Sequence, residues 1–483
     1  MTVRLKDKYD VAIIGAGPAG MAAAAEAARF GMDVVLFDEQ SEPGGQIYRS
    51  ITTQKNADLE LLGVEYWYGK ALADALARSN VSYISNAVVW GVLPNLEIGV
   101  SVKGRGGSVR ATNILLATGA IERPFPIEGW TIPGVLTAGA GQILLKTSNV
   151  VPAGRLVLAG TGPLLWLLAT QYLNAGVRIE AILDTTPGEN WKFAAQHFAS
   201  FALSPYFFKG IALLSRVLRK VKIVRNVECI RAEGDDKIRS VAYRTRGSEV
   251  FRIETDTLLL HQGIAPNINM SKAIGCDHVW DDAQLSFRPV TNSFGETSHK
   301  GIFAAGDGAG IVGARASEVQ GRLAAVSIAH QQDRLDNVRF LGFSKSYRRE
   351  LKRWSGGRRF LDDLYRPSEQ FRIPEDNVTI CRCEEVTAAQ LRQAVTLGCP
   401  GPNQAKTFIR CGMGPCQGRL CGLTVTEIIA KERNVSAQHV GYYRTRIPVK
   451  PITLEEIAAH PVTEESIKAV VRDLPPGLTG GEE

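Results

Sequence analysis

The feature that most constrains this chain is a strand, turn, helix, strand pattern that occurs twice. Residues 9–39, YDVAIIGAGPAGMAAAAEAARFGMDVVLFDE, open on an apolar run, bend at glycine, continue as an Ala-rich helix and end on a second apolar run with an acid. Gly15 permits the tight turn, Gly17 lets backbone approach a pyrophosphate, and Gly20 lets the helix lie close to the strand. The helix opening at Pro18 and Ala19 presents unpaired N–H groups to phosphates. Asp38 follows Gly20 by 18 residues, where an acid can accept hydrogen bonds from a ribose, and Glu39 is its neighbouring rival. A dinucleotide site on a Rossmann-like α/β fold is the expectation.

Residues 154–184, GRLVLAGTGPLLWLLATQYLNAGVRIEAILD, repeat the pattern with Leu165 where the third glycine belongs. A bulky side chain there pushes the helix away from the strand and puts an intact NAD(P) geometry in doubt. Two readings stay open: a nucleotide site that is altered or lost, and a structural remnant of a duplicated fold.

Two further apolar runs end in glycine: ILLATGAIERPFPI (114–127) and GIFAAGDGAG (301–310). They resemble the second and third fingerprints of the two-dinucleotide flavoproteins of glutathione-reductase type. The resemblance implies that Asp307, after Gly306, holds the ribityl and pyrophosphate part of FAD, with Thr118 and Gly119 close to the flavin. PGGQIYR (43–49) resembles the loop that passes the flavin ring in that family, which brings in Gly45 and Gln46. HQGIAPN (261–267) resembles its return crossing from the second fold into the first. No CxxC follows the first fingerprint, so a dithiol relay is not expected.

A chain of 483 residues can hold about three domains. The net charge of +7 with 22% charged residues is a mild bias that argues against nucleic acid and for a modest acidic ligand or partner. MTVRLKDKYD has no apolar h-region or cleavage site, and the apolar stretch 156–173 is broken by Gly160, Gly162 and Pro163. A cytoplasmic protein without a transmembrane helix is expected, with loose docking at a membrane left open. Structural disulfides are then not the expected use for the eight cysteines.

Five of those eight fall into CRC (Cys381 and Cys383) and RCGMGPCQGRLCG (Cys411, Cys416 and Cys421), with two C-x4-C spacings in the second motif. Thiolates gathered from two short turns suit zinc or a [2Fe-2S] cluster, and the paired C-x2-C knuckles usual for zinc ribbons are missing. Gly412, Gly414, Pro415 and Gly418 are expected to hold a loop open for backbone N–H groups to reach sulfur. Cys381 and Cys383 enter every ligand scheme and Cys416 nearly every one. The fourth ligand is Cys421 or Cys411, with Cys421 favoured as a residue one turn into the following helix. Cys229, Cys276 and Cys399 read as buried small hydrophobes.

CRCEEVT, RCGMGPCQGRLCG and the following VTEIIAKERNVSAQHVGYYRTRIPVKPITLEEIA resemble the bacterioferritin-associated-ferredoxin-like [2Fe-2S] domain of the A (alpha) subunits of opine oxidases, hydrogen cyanide synthase and D-hydroxyproline dehydrogenase. ERPFPIEGWTIPGVLTAGAGQ and GIFAAGDGAGIVGARASEVQGRLA fit the same family. The resemblance implies FAD, or another adenine nucleotide, in the first fold, a [2Fe-2S] cluster, and in parts of the family an FMN at the subunit interface. It also implies a separate flavoprotein B (beta) subunit that oxidises the substrate, and a respiratory electron acceptor. The seven histidines are scattered and mark no substrate site. The alternative is a self-sufficient NAD(P)H-dependent flavoprotein reductase, and a third reading makes the nucleotide and metal sites purely structural.

The expected organisation is α/β: a discontinuous FAD-binding domain (1–122 and 266–343), a degenerate NAD(P)-like domain (123–265), a basic connector (344–375), a small mainly helical [2Fe-2S] domain (376–450) and a tail (451–483). The connector's SKSYRRELKRWSGGRRF has seven Lys or Arg against one Glu and reads as a solvated helix or a partner surface. KGIALLSRVLRKVK (209–222) reads as an outer helix of the second fold that could also meet lipid.

Overall fold

A computed structural model describes residues 5–54, 59–93 and 95–459. The strand Lys8–Ile14 is apolar on both faces because it lies in the middle of a largely parallel sheet, between Val34–Phe37 and Arg105–Leu116. Ser82–Ile84 continues the sheet beyond Val34–Phe37, and Ile302–Ala304 returns late in the chain to pair with Ile114 through Leu116. Ala87–Val92 and Glu97–Val102 extend it as an antiparallel meander.

Close packing explains the small residues of the first motif. A Cβ on Gly20 would stand 1.8 Å from the Gly15 carbonyl oxygen, so only glycine lets the helix Pro18–Arg29 meet its strand. Across that helix lies Ala314–Gln331, where a Cβ on Gly321 would stand 2.1 Å from the Ala19 oxygen.

The second fold is a five-stranded parallel sheet ordered Ile223–Val224, Ile179–Asp184, Leu156–Thr161, Thr257–Gln262, Val135–Thr137. Leu165 is fully buried in the apolar core beneath it. An antiparallel three-stranded sheet, Val227–Glu233, Ser240–Thr245 and Phe251–Glu254, flanks it. The chain crosses between the folds where Ala120–Glu122 pairs antiparallel with Ile264–Pro266.

The basic segment begins as the helix Asn337–Ser355, which packs through Phe343 and Tyr347 on the first fold and turns its cations outward. Beyond it, Ala388–Thr396, Pro402–Ile409 and Gly422–Glu432 surround a core that includes Cys381, Cys411 and Cys421. The expected tail starts with a short helix, Leu454–Ala458, against the strand Arg105–Leu116: a Cβ on Gly106 would meet the Glu456 oxygen at 2.0 Å. The acid-rich end DLPPGLTGGEE lies outside the described residues.

Candidate functional site

Both glycine turns open onto one cavity of about 1360 Å³, larger than the roughly 300–1,000 Å³ of an ordinary small-molecule cleft. Gly15, Gly17, Pro18, Ala19, Asp38 and Glu39 line it together with Gly45, Gln46, Thr118, Gly119, Gly306 and Asp307. Of the residues expected at the nucleotide site, only Gly20 stands back, holding the helix in place.

The acids are held by local geometry. Asp38 Oδ2 accepts from Ala16 N at 2.5 Å and Oδ1 from Gln40 N at 2.8 Å, while burial pushes its pKa up. Glu39 is paired with Lys450, a residue from the far end of the chain. Asp307 Oδ1 accepts from Val312 N at 2.8 Å and Gly313 N at 2.9 Å, which fixes the start of the helix Ala314–Gln331. Thr118 Oγ1 donates to Asn267 O at 2.9 Å, so the second and return fingerprints are tied together. Gly45 backs directly onto Gly17, bringing the loop carrying Gln46 over the glycine turn.

Two features of the cavity had no sequence signal. Lys146 is fully buried with its Nζ donating to Gln46 O (3.1 Å), Ile47 O (2.9 Å) and Gln142 Oε1 (2.9 Å), and among the described residues no carboxylate balances it. Burial, reinforced by the nearby Arg49, lowers its pKa to about 7. His261 donates from Nδ1 to Glu122 Oε1 at 2.5 Å, and Glu122 Oε2 accepts from Gly139 N at 2.8 Å. The other edge of the imidazole lies against Gly162, 3.1 Å from where a Cβ would stand. A carboxylate and an imidazole thus sit beside the second glycine turn.

The cysteine motifs form a second centre. Cys381, Cys411 and Cys421 bring their sulfurs within 4.8 Å of one another, all buried. Cys383 and Cys416 form an adjoining pair, hydrogen-bonded through the Cys416 backbone N–H and the thiols. All five sequence candidates therefore converge, as three and two, and geometry alone treats Cys411 and Cys421 alike. Hydrogen bonds from the Cys411 and Cys421 thiols and from the Gly412 and Glu384 N–H groups pull the Cys381 thiol down to about 2. The same sharing pushes Cys411 up to about 12 and Cys421 well above the thiol range. An all-sulfur set poised to hold negative charge fits a thiophilic metal centre.

Three expectations about cysteines need correction. Cys421 is the N-cap of the helix Gly422–Glu432 and not one turn inside it. Cys229 is exposed, because it lies on the outer face of the strand Val227–Glu233, whereas Cys276 and Cys399 are buried as expected. The loop glycines chiefly make room for side chains: a Cβ on Gly412 or Gly418 would meet the Tyr443 ring at 2.3 or 2.4 Å, and one on Gly414 would meet Cys383 Cβ at 2.2 Å. Backbone N–H groups do reach sulfur in this loop, Gly412 to Cys381 and Cys416 to Cys383.

The sulfur centre is locked onto the flavin-type fold. Glu427, on the helix behind Cys421, is ion-paired with Arg372 and faces the buried Arg123 that follows Glu122. Trp130 Nε1 donates to Thr379 O at 2.8 Å and Asn269 Nδ2 to Gln417 O at 3.3 Å. Arg419, between Cys416 and Cys421, reaches the cavity and donates to Val449 O at 2.9 Å.

Known proteins resemble this chain in both its parts. Residues 9–332 match the pyridine nucleotide-disulphide oxidoreductase family, and residues 377–461 match the sarcosine oxidase A3 domain. The A subunit of opine oxidase from Agrobacterium tumefaciens (strain Ach5) is 48% identical over 477 residues, 96% of this chain and 94% of that protein. The chain belongs to the family of opine oxidase A subunits. Within that wider kinship, hydrogen cyanide synthase subunit HcnB of Pseudomonas aeruginosa is 32% identical, covering 91% of this chain and 96% of that one. L-proline dehydrogenase from P. horikoshii superimposes with a TM-score of 0.66 at 19% identity, covering 93% of this chain and 79% of that one, and shows the common fold. Membership of the opine oxidase A-type family makes this chain an oxidoreductase of flavoprotein type.

Proposed function

We propose that this chain is the electron-transfer subunit of a heteromeric opine or amino-acid dehydrogenase. A flavoprotein B (beta) subunit oxidises the substrate, and this chain takes the electrons and delivers them toward a respiratory acceptor. The observation that carries the reading is the convergence of five cysteines in a lobe packed against a flavin-type fold, in a chain 48% identical to the A subunit of an opine oxidase.

FAD would lie along Gly15, Gly17 and Asp38 with its ribityl part near Asp307, and an FMN would sit between the subunits. Cys381, Cys383, Cys416 and Cys421 would hold a [2Fe-2S] cluster. When bound, a flavin accepts two electrons together and releases them singly, whereas such a cluster handles one at a time. The chain's own part is to fix the sulfur lobe and the cavity loops in place. Arg123, Arg372 and Glu427 fix the sulfur lobe, and Lys146 clamps the Gln46 loop.

Purification under anaerobic conditions with and without the B subunit tests this reading. A flavin band, about two irons per chain, and bleaching by an opine only when the B subunit is present are expected. Zinc without flavin, or rapid bleaching by NADH in the chain alone, would overturn it.

A further inference from the structure

Among the described residues no single helix is long and apolar enough to cross a membrane. One bent pair, Asn190–Ala202 with Tyr206–Leu218, turns by 116° at the rim of the second fold. Its inner aromatic side is firmly packed: Phe201 stacks on Phe360 with centroids 4.2 Å apart, and Phe198 meets Phe207 edge-on at 6.0 Å. Among the described residues nothing covers the outer side. Leu203, at the bend, is 90% exposed, Phe208 76% and Phe193 59%.

Charge on this hairpin runs one way. From 190 to 225 the chain carries Lys192, Lys209, Arg216, Arg219, Lys220, Lys222 and Arg225 and no acid. Lys209 lies 3.6 Å from Glu65, but Lys192, Arg219, Lys220 and Lys222 have no acidic partner among the described residues. On the second helix Ile211 and Leu218 line the large cavity, whereas the exposed Phe208 stands outside its lining. Lys209, Arg216 and the C-cap Arg219 belong to the same helix.

We propose that this hairpin is a docking surface for an anionic lipid bilayer, lying in the interface with Leu203 and Phe208 inserted and the cations on headgroups. A projecting bend with apolar tips and an unpaired basic flank has the composition of an interfacial segment. Protein partners of that charge would need a matching acidic hollow, whereas an anionic leaflet supplies charge without shape. The apolar tips rest on a preordered aromatic base, so insertion orders little new chain.

Flotation of the full chain, alone and complexed with its B subunit, on vesicles of phosphatidylcholine with or without phosphatidylglycerol tests this. Both forms are expected to float with the anionic vesicles, at least tenfold less with pure phosphatidylcholine, and less as salt rises. Leu203→Asp/Phe208→Asp and, separately, Arg219→Glu/Lys220→Glu should each cut the bound fraction about tenfold while leaving the unfolding temperature and B-subunit copurification unchanged. Equal flotation on both vesicle types overturns the assignment. So does flotation by the lone chain but not the complex, or loss of the B subunit in the apolar variant, since either makes the hairpin a subunit interface. A misfolded apolar variant leaves the charge variant and the lipid comparison to decide.

Discussion

His261 and Glu122 stand 139 positions apart in the chain and meet at 2.5 Å, Nδ1 to Oε1, where the crossing strand passes beside the second sheet. The same carboxylate caps Gly139 N, at the start of the helix Ala138–Ser148. One side chain therefore satisfies an imidazole and a helix end in a nearly dry place.

Removing it should leave both groups unpaired. Glu122→Ala is expected to cost about 2–4 kcal/mol, with Glu122→Gln milder because an amide oxygen can still accept one bond. Urea midpoints at constant slope measure the difference. A loss below about 0.5 kcal/mol would mean that water replaces the carboxylate.

Gly412 has φ +85° and its missing Cβ is replaced by the Tyr443 ring 2.3 Å away. Gly412→Ala must shift that ring, whose hydroxyl donates to Cys411 O at 3.0 Å. Iron per chain should fall several-fold while flavin stays near its normal ratio. Equal loss of both would show that the lobes do not fold independently.

Cys411 and Cys421 both bring their sulfurs to Cys381, and the ligand set proposed above takes Cys421 as the fourth thiolate. Cys421→Ser is accordingly expected to abolish visible iron–sulfur absorption and Cys411→Ser to retain most of it. The reverse pattern would assign the fourth ligand to Cys411.

Lys146 predicts a pH effect whose sign follows from its lowered pKa. The unfolded chain holds this proton up to the ordinary lysine range near 10.5, whereas the folded chain releases it near 7. Between those values the unfolded state binds more protons, so this group's contribution to stability rises with pH from about 7 to 10.5 and is flat below. Chemical unfolding at pH 7 and 9 should show that rise in the wild type and a smaller one in Lys146→Met. Identical slopes would show that the ammonium is satisfied by its three acceptors.

Much of this molecule was legible in one dimension. The two glycine turns, the acid after the second strand and the clustered cysteines are motifs of fixed residue type and spacing, so the linear pattern carries them. Asp38 on Ala16 N and Asp307 on Gly313 N realise those motifs. What only the tertiary structure decided are encounters between distant segments: Lys450 on Glu39, Glu122 on His261, Lys146 on the Gln46 loop, and Tyr443 filling the space over Gly412. A lysine or histidine in an ordinary helix or strand has no local signature of its partner, because strand order and helix docking choose that partner. The exposed hairpin divides in the same way: its apolar and basic content is sequence, but which residues face outward was settled by Phe201 stacking on Phe360.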